Sequence, residues 1–134
     1  MAAAAAMPWL QIAVVAIGAA VGALLRWQAG VWLNGPASQA IGFPLGTLVV
    51  NCAGGLLIGA ALLFFERTPN ELQRLLWITG FLGGLTTFSS FSVESLVMLQ
   101  RGEWALALGH SLAHVIGSLA FAILGFGLAR WLLD

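Results

Sequence analysis

Four long apolar stretches constrain the fold of this chain more than any other feature of its sequence. They cover about residues 9–32, 43–65, 75–99 and 104–133, and each reaches the roughly 20 residues that a helix needs to cross a bilayer. Charged residues make up only 7% of the 134 residues, against roughly 25% in an ordinary soluble domain. We therefore expect a single all-α transmembrane domain of four helices over residues 1–134, located in the cell (inner) membrane as a multi-pass protein.

The segments between and beside these stretches support four spans. Residues 34–39 form a turn cluster, residues 66–71 a charged turn and residues 100–103 a tight turn. The alanine-rich residues 1–7 lack the basic region of a signal peptide, so we expect the first stretch to be a retained span. All six tryptophans lie near a predicted span end, where an amphipathic ring prefers the headgroup level: Trp9, Trp27, Trp32, Trp77, Trp104 and Trp131.

The third stretch contains residues that a lipid-facing helix does not tolerate. Residues 80–94 read GFLGGLTTFSSFSVE and combine glycines, hydroxyls and one carboxyl. Polar side chains in hydrocarbon cost free energy unless they find partners, and unpaired backbone groups at membrane depth survive only against protein, water or ions. The pattern predicts a third helix that is broken and lines something polar.

The arginines do not decide the orientation of the chain. Arg67, Arg74 and Arg130 fall on one side, and Arg101 falls on the other, together with Arg26 if it reaches outward. Three against two is a weak application of the positive-inside rule, so copies of opposite orientation could pair about a two-fold axis in the membrane plane. A four-helix bundle fills its own core, so a pathway favours an antiparallel homodimer. The net charge of zero offers no reason to expect nucleic acid as a partner.

Small residues recur at a spacing of four, which is typical of close helix contacts in membranes. These contacts could lie within one subunit or between two. Cys52 is the only cysteine, so an intrachain disulfide is excluded, and we expect it to pack as a small apolar residue. The spaced small residues are Gly18 and Gly22, Gly55 and Gly59, and Gly109, Ala113 and Gly117.

Two polar residues inside the spans have two interpretations each. Asn51 offers two amide donors and one acceptor; it either forms a hydrogen bond between helices or faces a bound or permeating anion. Arg26 lies inside the end of the first span, where it either extends to the interface as an anchor or provides a vestibule charge that attracts anions.

Phe88, Phe91 and Glu94 are spaced by three and share one helix face. Phenylalanines at this spacing usually pack in a core, but here hydroxyls lie between them, with Thr87 and Ser90 on neighbouring faces. A phenyl ring has a positive edge, so two rings turned edge-on could contact an anion. An ionised Glu94 would repel an anion, and we expect it to be protonated or hydrogen-bonded away from the path.

His110, His114 and Ser118 follow one another at intervals of four on the fourth span. Two histidines at this spacing indicate a metal site only when other ligands join them. Structural hydrogen bonding is the first interpretation, and a polar stripe beside a pathway is the second. The sequence contains no nucleophile elbow, metalloprotease helix or phosphate loop, so we do not expect an enzyme.

Three motifs together resemble the Fluc-type fluoride channels of the CrcB-like family. They are GALLRW at residues 22–27, GTLVVNCAG at residues 46–54, and the segment at residues 80–94. The resemblance covers the whole predicted bundle, and its third motif is the most specific of the three. It implies a dual-topology homodimer with two antiparallel pores that pass fluoride and exclude chloride, exporting fluoride passively from the cell.

The resemblance also implies roles for individual residues. Asn51 would be the pore asparagine, and Phe88 and Phe91 would turn their ring edges towards the ions. His114 and Ser118 would belong to a polar track along the pore, although hydroxyls are usual there and His114 departs from that pattern. These groups would replace the water around fluoride without a buried full charge.

The resemblance further implies a structural sodium ion on the dimer axis, held by the backbone carbonyls of Gly83 and Thr86. Ser90 stands where a threonine is often found, so the hydroxyl is kept. The alternative function is a small dual-topology multidrug/proton antiporter, which should carry a carboxyl in the first span. That span has none, and Glu94 is the carboxyl at membrane depth. A non-transporting scaffold would not need the polar, glycine-rich third span.

Overall fold

The computed structural model describes residues 7–134, so the expectation for the alanine-rich start falls almost entirely outside the described residues. Within that range the protein is all-helical, and four helical regions are long and apolar enough to cross a membrane, as predicted. The largest shift in boundary is at the third span, which begins at Glu71 rather than near residue 75. The elements are α1 (Pro8–Leu33), α2 (Pro36–Ile41), α3 (Leu45–Arg67), α4 (Glu71–Arg74), a π-helical stretch π1 (Leu75–Leu82), α5 (Gly83–Leu85), α6 (Phe88–Gln100) and α7 (Trp104–Leu133).

The turn cluster after the first span contains a short helix, α2, which the sequence analysis did not predict. Pro36 occupies its first turn, where the fixed φ of proline suits a helix and its missing N–H is not needed. Gly42 ends it in the left-handed conformation, with φ of 66°. Asn34 then accepts a hydrogen bond from the N–H of Gly46 at 2.8 Å. This bond satisfies one of the free donors at the start of α3.

The third span consists of two helical segments separated by two extended residues. α4, π1 and α5 form the first segment, which ends at Leu85, and α6 begins at Phe88. Thr86 has ψ of 156°, and Thr87 has φ of −151° and ψ of 123°. The interruption therefore lies at the two threonines, after the glycines rather than at them.

The glycines of the third span allow it to pack closely against α1. A methyl group on Gly80 would lie 2.7 Å from the carbonyl oxygen of Val15, and one on Gly84 would collide with the backbone of Ala19. Gly22 of α1 approaches the third span just as closely. These contacts lie within one subunit. They are possible because glycine has no side chain, so two helix backbones can approach closely.

The same close packing joins α3 to α7. A methyl group on Gly59 would lie 2.9 Å from the backbone nitrogen of Phe126 and would overlap the carbonyl of Ala122. Gly109 differs, since no described atom lies within 4 Å of the position its methyl group would take. The small-residue pairs on α1 and α3 thus serve the bundle itself.

We predict that Gly59→Ala destabilises the protein. The added methyl group would force α3 away from α7, and overpacking of this kind typically costs about 1–3 kcal/mol. Thermal unfolding in detergent, followed by tryptophan fluorescence, measures the loss. Gly127→Ala in α7 is the matched control, because no described atom lies within 4 Å of its new methyl group. The control should unfold at or above the wild-type temperature, and a Gly59→Ala protein of wild-type stability would contradict this packing.

Candidate functional site

Asn51 of α3 forms two hydrogen bonds with the backbone of Thr87, at the interruption of the third span. Its Oδ1 accepts from the Thr87 N–H at 2.8 Å, and its Nδ2 donates to the Thr87 carbonyl at 3.0 Å. An extended residue cannot make the usual helical bonds, so these two groups need other partners. Because an N–H can only donate, the orientation of the Asn51 amide is determined by this pairing.

The orientation of Asn51 in turn determines the tautomer of His114. The remaining donor on Asn51 Nδ2 faces His114 Nδ1 at 3.1 Å, so Nδ1 must accept and the ring proton must sit on Nε2. His114 is 5% exposed, and its Nε2 has no hydrogen-bond partner among the described residues. A buried donor is therefore left available at membrane depth, which is costly unless something accepts from it.

A second cluster surrounds Glu94 one turn away along the helices. The Thr47 hydroxyl donates to Oε1 of Glu94, and His110 Nε2 lies 3.2 Å from Oε2. The other ring nitrogen of His110 lies 2.9 Å from the Ser95 hydroxyl, and the side chain of His110 is fully buried. Both oxygens of the Glu94 carboxyl are thus engaged by neighbouring side chains.

The two clusters meet at a possible set of metal ligands. Ligand atoms of Glu94, His110 and His114 lie within 4.8 Å of one another, so the structure brings a third ligand to the two histidines. The hydrogen bonds do not favour a metal ion, however. His114 would have to bind through Nε2 with its proton moved to Nδ1, and that proton would face the Asn51 donor. Structural hydrogen bonding, the first interpretation of the sequence, describes His110 as observed.

The aromatic rings pack against the histidines. Phe91 stacks on His110 with ring centroids 5.3 Å apart and planes 12° apart, and its centroid is 4.8 Å from that of His114. Phe88 lies next in line, 5.3 Å from Phe91, and is 79% exposed in the single subunit. Phe91 therefore belongs to the histidine cluster, while Phe88 faces an open groove.

Two grooves lie beside these clusters, one next to Asn51 and the other next to Glu94. The first, here called the break groove, has a volume of about 630 Å³ and is lined by Asn51, Thr86, Thr87, Phe88 and Ser118 among others. The second, here called the α2 groove, has a volume of about 530 Å³ and is lined by Asn34, Ser38, Gln39, Gly42, Phe43, Pro44, Glu94 and Arg101.

A continuous row of contacts joins the two grooves. Asn51 contacts His114, the rings of His114 and His110 are 4.5 Å apart, and His110 contacts Glu94. Because His110, His114 and Ser118 occupy successive turns of α7, the row runs along the helix axes. The protein thus has a row of polar groups at membrane depth with a groove at each end.

Arg26 lies apart from this row. Its Nε donates to the carbonyl of Gly84 at 3.0 Å. In an unbroken helix that carbonyl would accept from the N–H of Phe88, four residues later. Arg26 therefore supplies a hydrogen bond that the interruption removes, and its vestibule role stays a prediction.

The structure brings most of the predicted pore residues together. Asn51, Thr87, Phe88 and Ser118 line the break groove, and so do Gly83 and Thr86. Glu94, Phe91 and His114 belong to the cluster between the grooves, and Ser90 joins the break through its hydroxyl, 3.2 Å from that of Thr87. Taken together, the predicted pore residues lie around one polar row.

The sequence did not reveal that Thr47 bonds Glu94 and that Ser95 bonds His110. It also did not reveal that Arg101 lines the α2 groove. Thr47 stands one helical turn before Asn51, a signal that could have placed both on one face. Arg101 gave no signal, because its position in a connecting turn does not reveal which groove it reaches.

These spans and the polar row define a small helical membrane protein with polar side chains packed among its spans. The chain belongs to the CrcB-like family: the family model described as "CrcB-like protein, Camphor Resistance (CrcB)" matches residues 13–126. The family resemblance seen in the sequence is thereby confirmed, and the protein is a multi-pass membrane protein of an ion-channel family rather than an enzyme.

Individual relatives match over nearly their whole length. The fluoride-specific ion channel FluC of Bordetella petrii is 52% identical over 123 residues, which cover 90% of this chain and 92% of the relative. The protein of the same name from Pseudomonas aeruginosa is 47% identical over 127 residues, covering 93% and 98%. A third, from Polynucleobacter asymbioticus, is 52% identical over 119 residues.

We predict that His114 carries its proton on Nε2. Nitrogen-15 spectra of histidine-labelled protein in bilayers distinguish the two tautomers, and a His114→Gln variant assigns the signals by difference, since the chain has two histidines. Asn51→Ala removes the donor that holds Nδ1 and should relax the preference. A protonated Nδ1 on His114 in the wild type would contradict the hydrogen-bond assignment.

Proposed function

We propose that this protein is a fluoride-selective channel that lets fluoride leave the cell passively and so lowers its concentration inside. Relatives covering most of the chain are named fluoride-specific ion channels, which supports this function. The observation that carries the proposal is the buried Nε2–H of His114, which has no partner among the described residues and belongs to the ring whose Nδ1 faces Asn51. An anion passing along the polar row would supply the missing acceptor.

The chemistry of the row suits a small, strongly hydrated anion. Fluoride enters a pore only if donors replace its water, and it leaves only if none of them binds it too tightly. The His114 Nε2–H is an uncharged donor of this kind that has no partner among the described residues. The Asn51 amide and the Thr87 hydroxyl are uncharged as well, but their donors already bond Thr87, His114 and Ser90, so they would have to exchange those partners for the ion. The positive edges of Phe88 and Phe91 would add a weaker attraction without a formal charge.

Glu94 is arranged so that its charge need not block the route. Thr47 donates to one carboxyl oxygen, and His110 contacts the other. Hydrogen bonds of this type draw the carboxyl towards its own cluster and away from the break groove. The carboxyl is hydrogen-bonded, but it also lines the α2 groove, so the expectation that it lies away from the path stays a prediction.

We further propose that two copies of opposite orientation form the working unit, with two antiparallel pores. In a single copy the break groove is open along one side, and Phe88 is 79% exposed. Hydroxyls and an amide lining an open groove would face hydrocarbon, which is unfavourable. A second copy covering the groove would enclose them, and the nearly balanced arginines permit both orientations.

A structural sodium ion held by Gly83 and Thr86 fits the hydrogen bonding at the break. The N–H of Thr87, which would bond the Gly83 carbonyl in a regular helix, donates to Asn51 instead. The N–H of Ser90, which would bond the Thr86 carbonyl, donates to the Thr87 hydroxyl. Both carbonyl oxygens thus lose their helical donors, and carbonyl oxygens suit a hard cation. Such an ion would stabilise the interruption and take no part in moving fluoride.

The alternative function is a dual-topology multidrug/proton antiporter. Such a transporter needs a carboxyl that binds cations and protons in turn, and α1 contains no acidic residue. Within residues 7–134, Glu94 is the one carboxyl that lies partly buried at membrane depth, and neighbouring side chains already engage it. These observations favour the channel.

Fluoride efflux from liposomes containing the purified protein tests the proposed function. We expect rapid, passive efflux of fluoride and little efflux of chloride, measured with ion-selective electrodes after a potassium ionophore is added. Protein-free liposomes provide the control. Equal movement of both halides, or of neither, would reject the channel, and proton-coupled uptake of organic cations would favour the antiporter.

Asn51→Asp tests the role of the uncharged amide. The carboxylate keeps one acceptor for Thr87 but removes two donors, and at about 4 Å it would repel an anion by roughly 1–4 kcal/mol, enough to slow flux about fivefold or more. Size-exclusion chromatography should still show the dimer. Asn70→Asp makes the same substitution at the N-cap of α4, where Asp caps as well as Asn, and should conduct normally. Undiminished flux in Asn51→Asp would remove Asn51 from the pore.

A further inference from the structure

The α2 groove contains an arginine that the proposed pore does not yet use. Arg101 is exposed and lines this groove together with Glu94. Its backbone is well held, because its N–H donates to Val97 at 3.1 Å at the end of α6. Gly102 follows in the left-handed conformation, with φ of 75°, and completes a tight turn. The guanidinium is therefore carried by an ordered segment beside the groove.

The Arg101 guanidinium has no partner among the described residues, whereas three of the other four arginines have one. Arg67 and Arg130 contact the Asp134 carboxyl, and Arg26 donates to the carbonyl of Gly84. Within residues 7–134, the Arg101 guanidinium forms neither an ion pair nor a side-chain hydrogen bond. Its charge is thus not paired directly with an acid, and the Glu94 carboxyl, which lines the same groove, is held by Thr47 and His110 instead.

Other polar side chains around the groove are committed to holding its shape. The Ser38 hydroxyl donates to the carbonyl of Phe43, and Nε2 of Gln39 donates to the carbonyl of Asn34 at 3.2 Å. These bonds fix α2 and the turn that follows it. Arg101 is consequently the charged donor that the groove presents to an arriving ion.

We propose that the α2 groove is one mouth of the pore and that Arg101 gathers fluoride there. The inference rests on the proposed channel function. A concave site with walls of low dielectric concentrates the field of a single charge and raises the local concentration of the opposite ion. From the groove an anion would pass Glu94 and the histidine pair towards Asn51. Arg101 acts before the narrow part of the route, so it affects the rate of capture rather than the choice between halides.

The expected signature is a dependence of fluoride flux on ionic strength. Screening extends over roughly 30 Å at 0.01 M salt but only about 3 Å at 1 M. Arg101→Gln should therefore conduct fluoride about two- to tenfold more slowly than wild type at low ionic strength. The difference should disappear at about 1 M sodium gluconate, a salt of a bulky anion, because screening then removes the advantage of the arginine.

Matched variants separate a charge effect from a structural one. Arg101→Lys keeps the charge and should retain most of the low-salt flux. Arg74→Gln removes an exposed arginine that lies in α4, away from the α2 groove, and should leave flux unchanged at both ionic strengths. Chloride flux should stay low in every variant, since the narrow part of the route is intact.

A second experiment attaches groups of different charge at position 101 of a single variant. In Arg101→Cys, a thiol reagent with a positive group should restore low-salt fluoride flux, and one with a negative group should reduce it further. The wild type, which carries Cys52, is treated with both reagents as the control. The comparison does not depend on the stability of the Gln variant.

The outcomes distinguish the two proposals. Wild-type flux at low salt in both Arg101→Gln and the negatively modified Cys variant would overturn the role of Arg101 and leave the channel function standing. A loss of flux that is equal at low and high ionic strength would assign Arg101 a structural role, which also overturns the inference. Absence of fluoride flux in the wild type would reject the proposed function itself.

Discussion

The paired hydrogen bonds between Asn51 and the backbone of Thr87 are the interaction on which the rest of the site depends. They satisfy an N–H and a carbonyl that leave the helical pattern at membrane depth, where each unpaired group would cost about 1–3 kcal/mol or more. The interruption of the third span can therefore persist. The Gly84 carbonyl accepts from Arg26 instead of a helical N–H, and the Gly83 carbonyl loses its helical donor, the Thr87 N–H, to Asn51. One side chain of α3 thus organises the backbone of another span.

The Asn51 amide bonds both the Thr87 backbone and the His114 ring, and so it determines which atoms of the polar row donate and accept. Because Thr87 dictates which end of Asn51 donates, Asn51 dictates which nitrogen of His114 accepts. The buried N–H that results is energetically unfavourable without an acceptor, and the proposed anion would supply one. Buried polar groups without partners are rare in folded proteins, and here the exception coincides with the route proposed for the ion.

The break of the third span lies at Thr86 and Thr87 rather than at the glycines for a physical reason. Gly80 and Gly84 lie in helical segments and serve close packing against α1. Thr86 and Thr87 leave the helix, because Asn51 offers Thr87 replacement hydrogen bonds. Helix propensity is a local property, whereas the side chain that supplies the replacement hydrogen bonds belongs to another span.

The sequence alone determined the four spans, since length and hydropathy decide which segments can cross a bilayer. It also indicated most of the residues of the polar row, because polar groups at membrane depth are few and informative. Only the tertiary structure decided how those groups meet. It placed Thr47 and His110 against Glu94, directed Arg26 to a backbone carbonyl and brought Arg101 to the α2 groove. Such pairings join residues far apart in the chain, and no local pattern encodes the geometry that brings them within hydrogen-bonding distance.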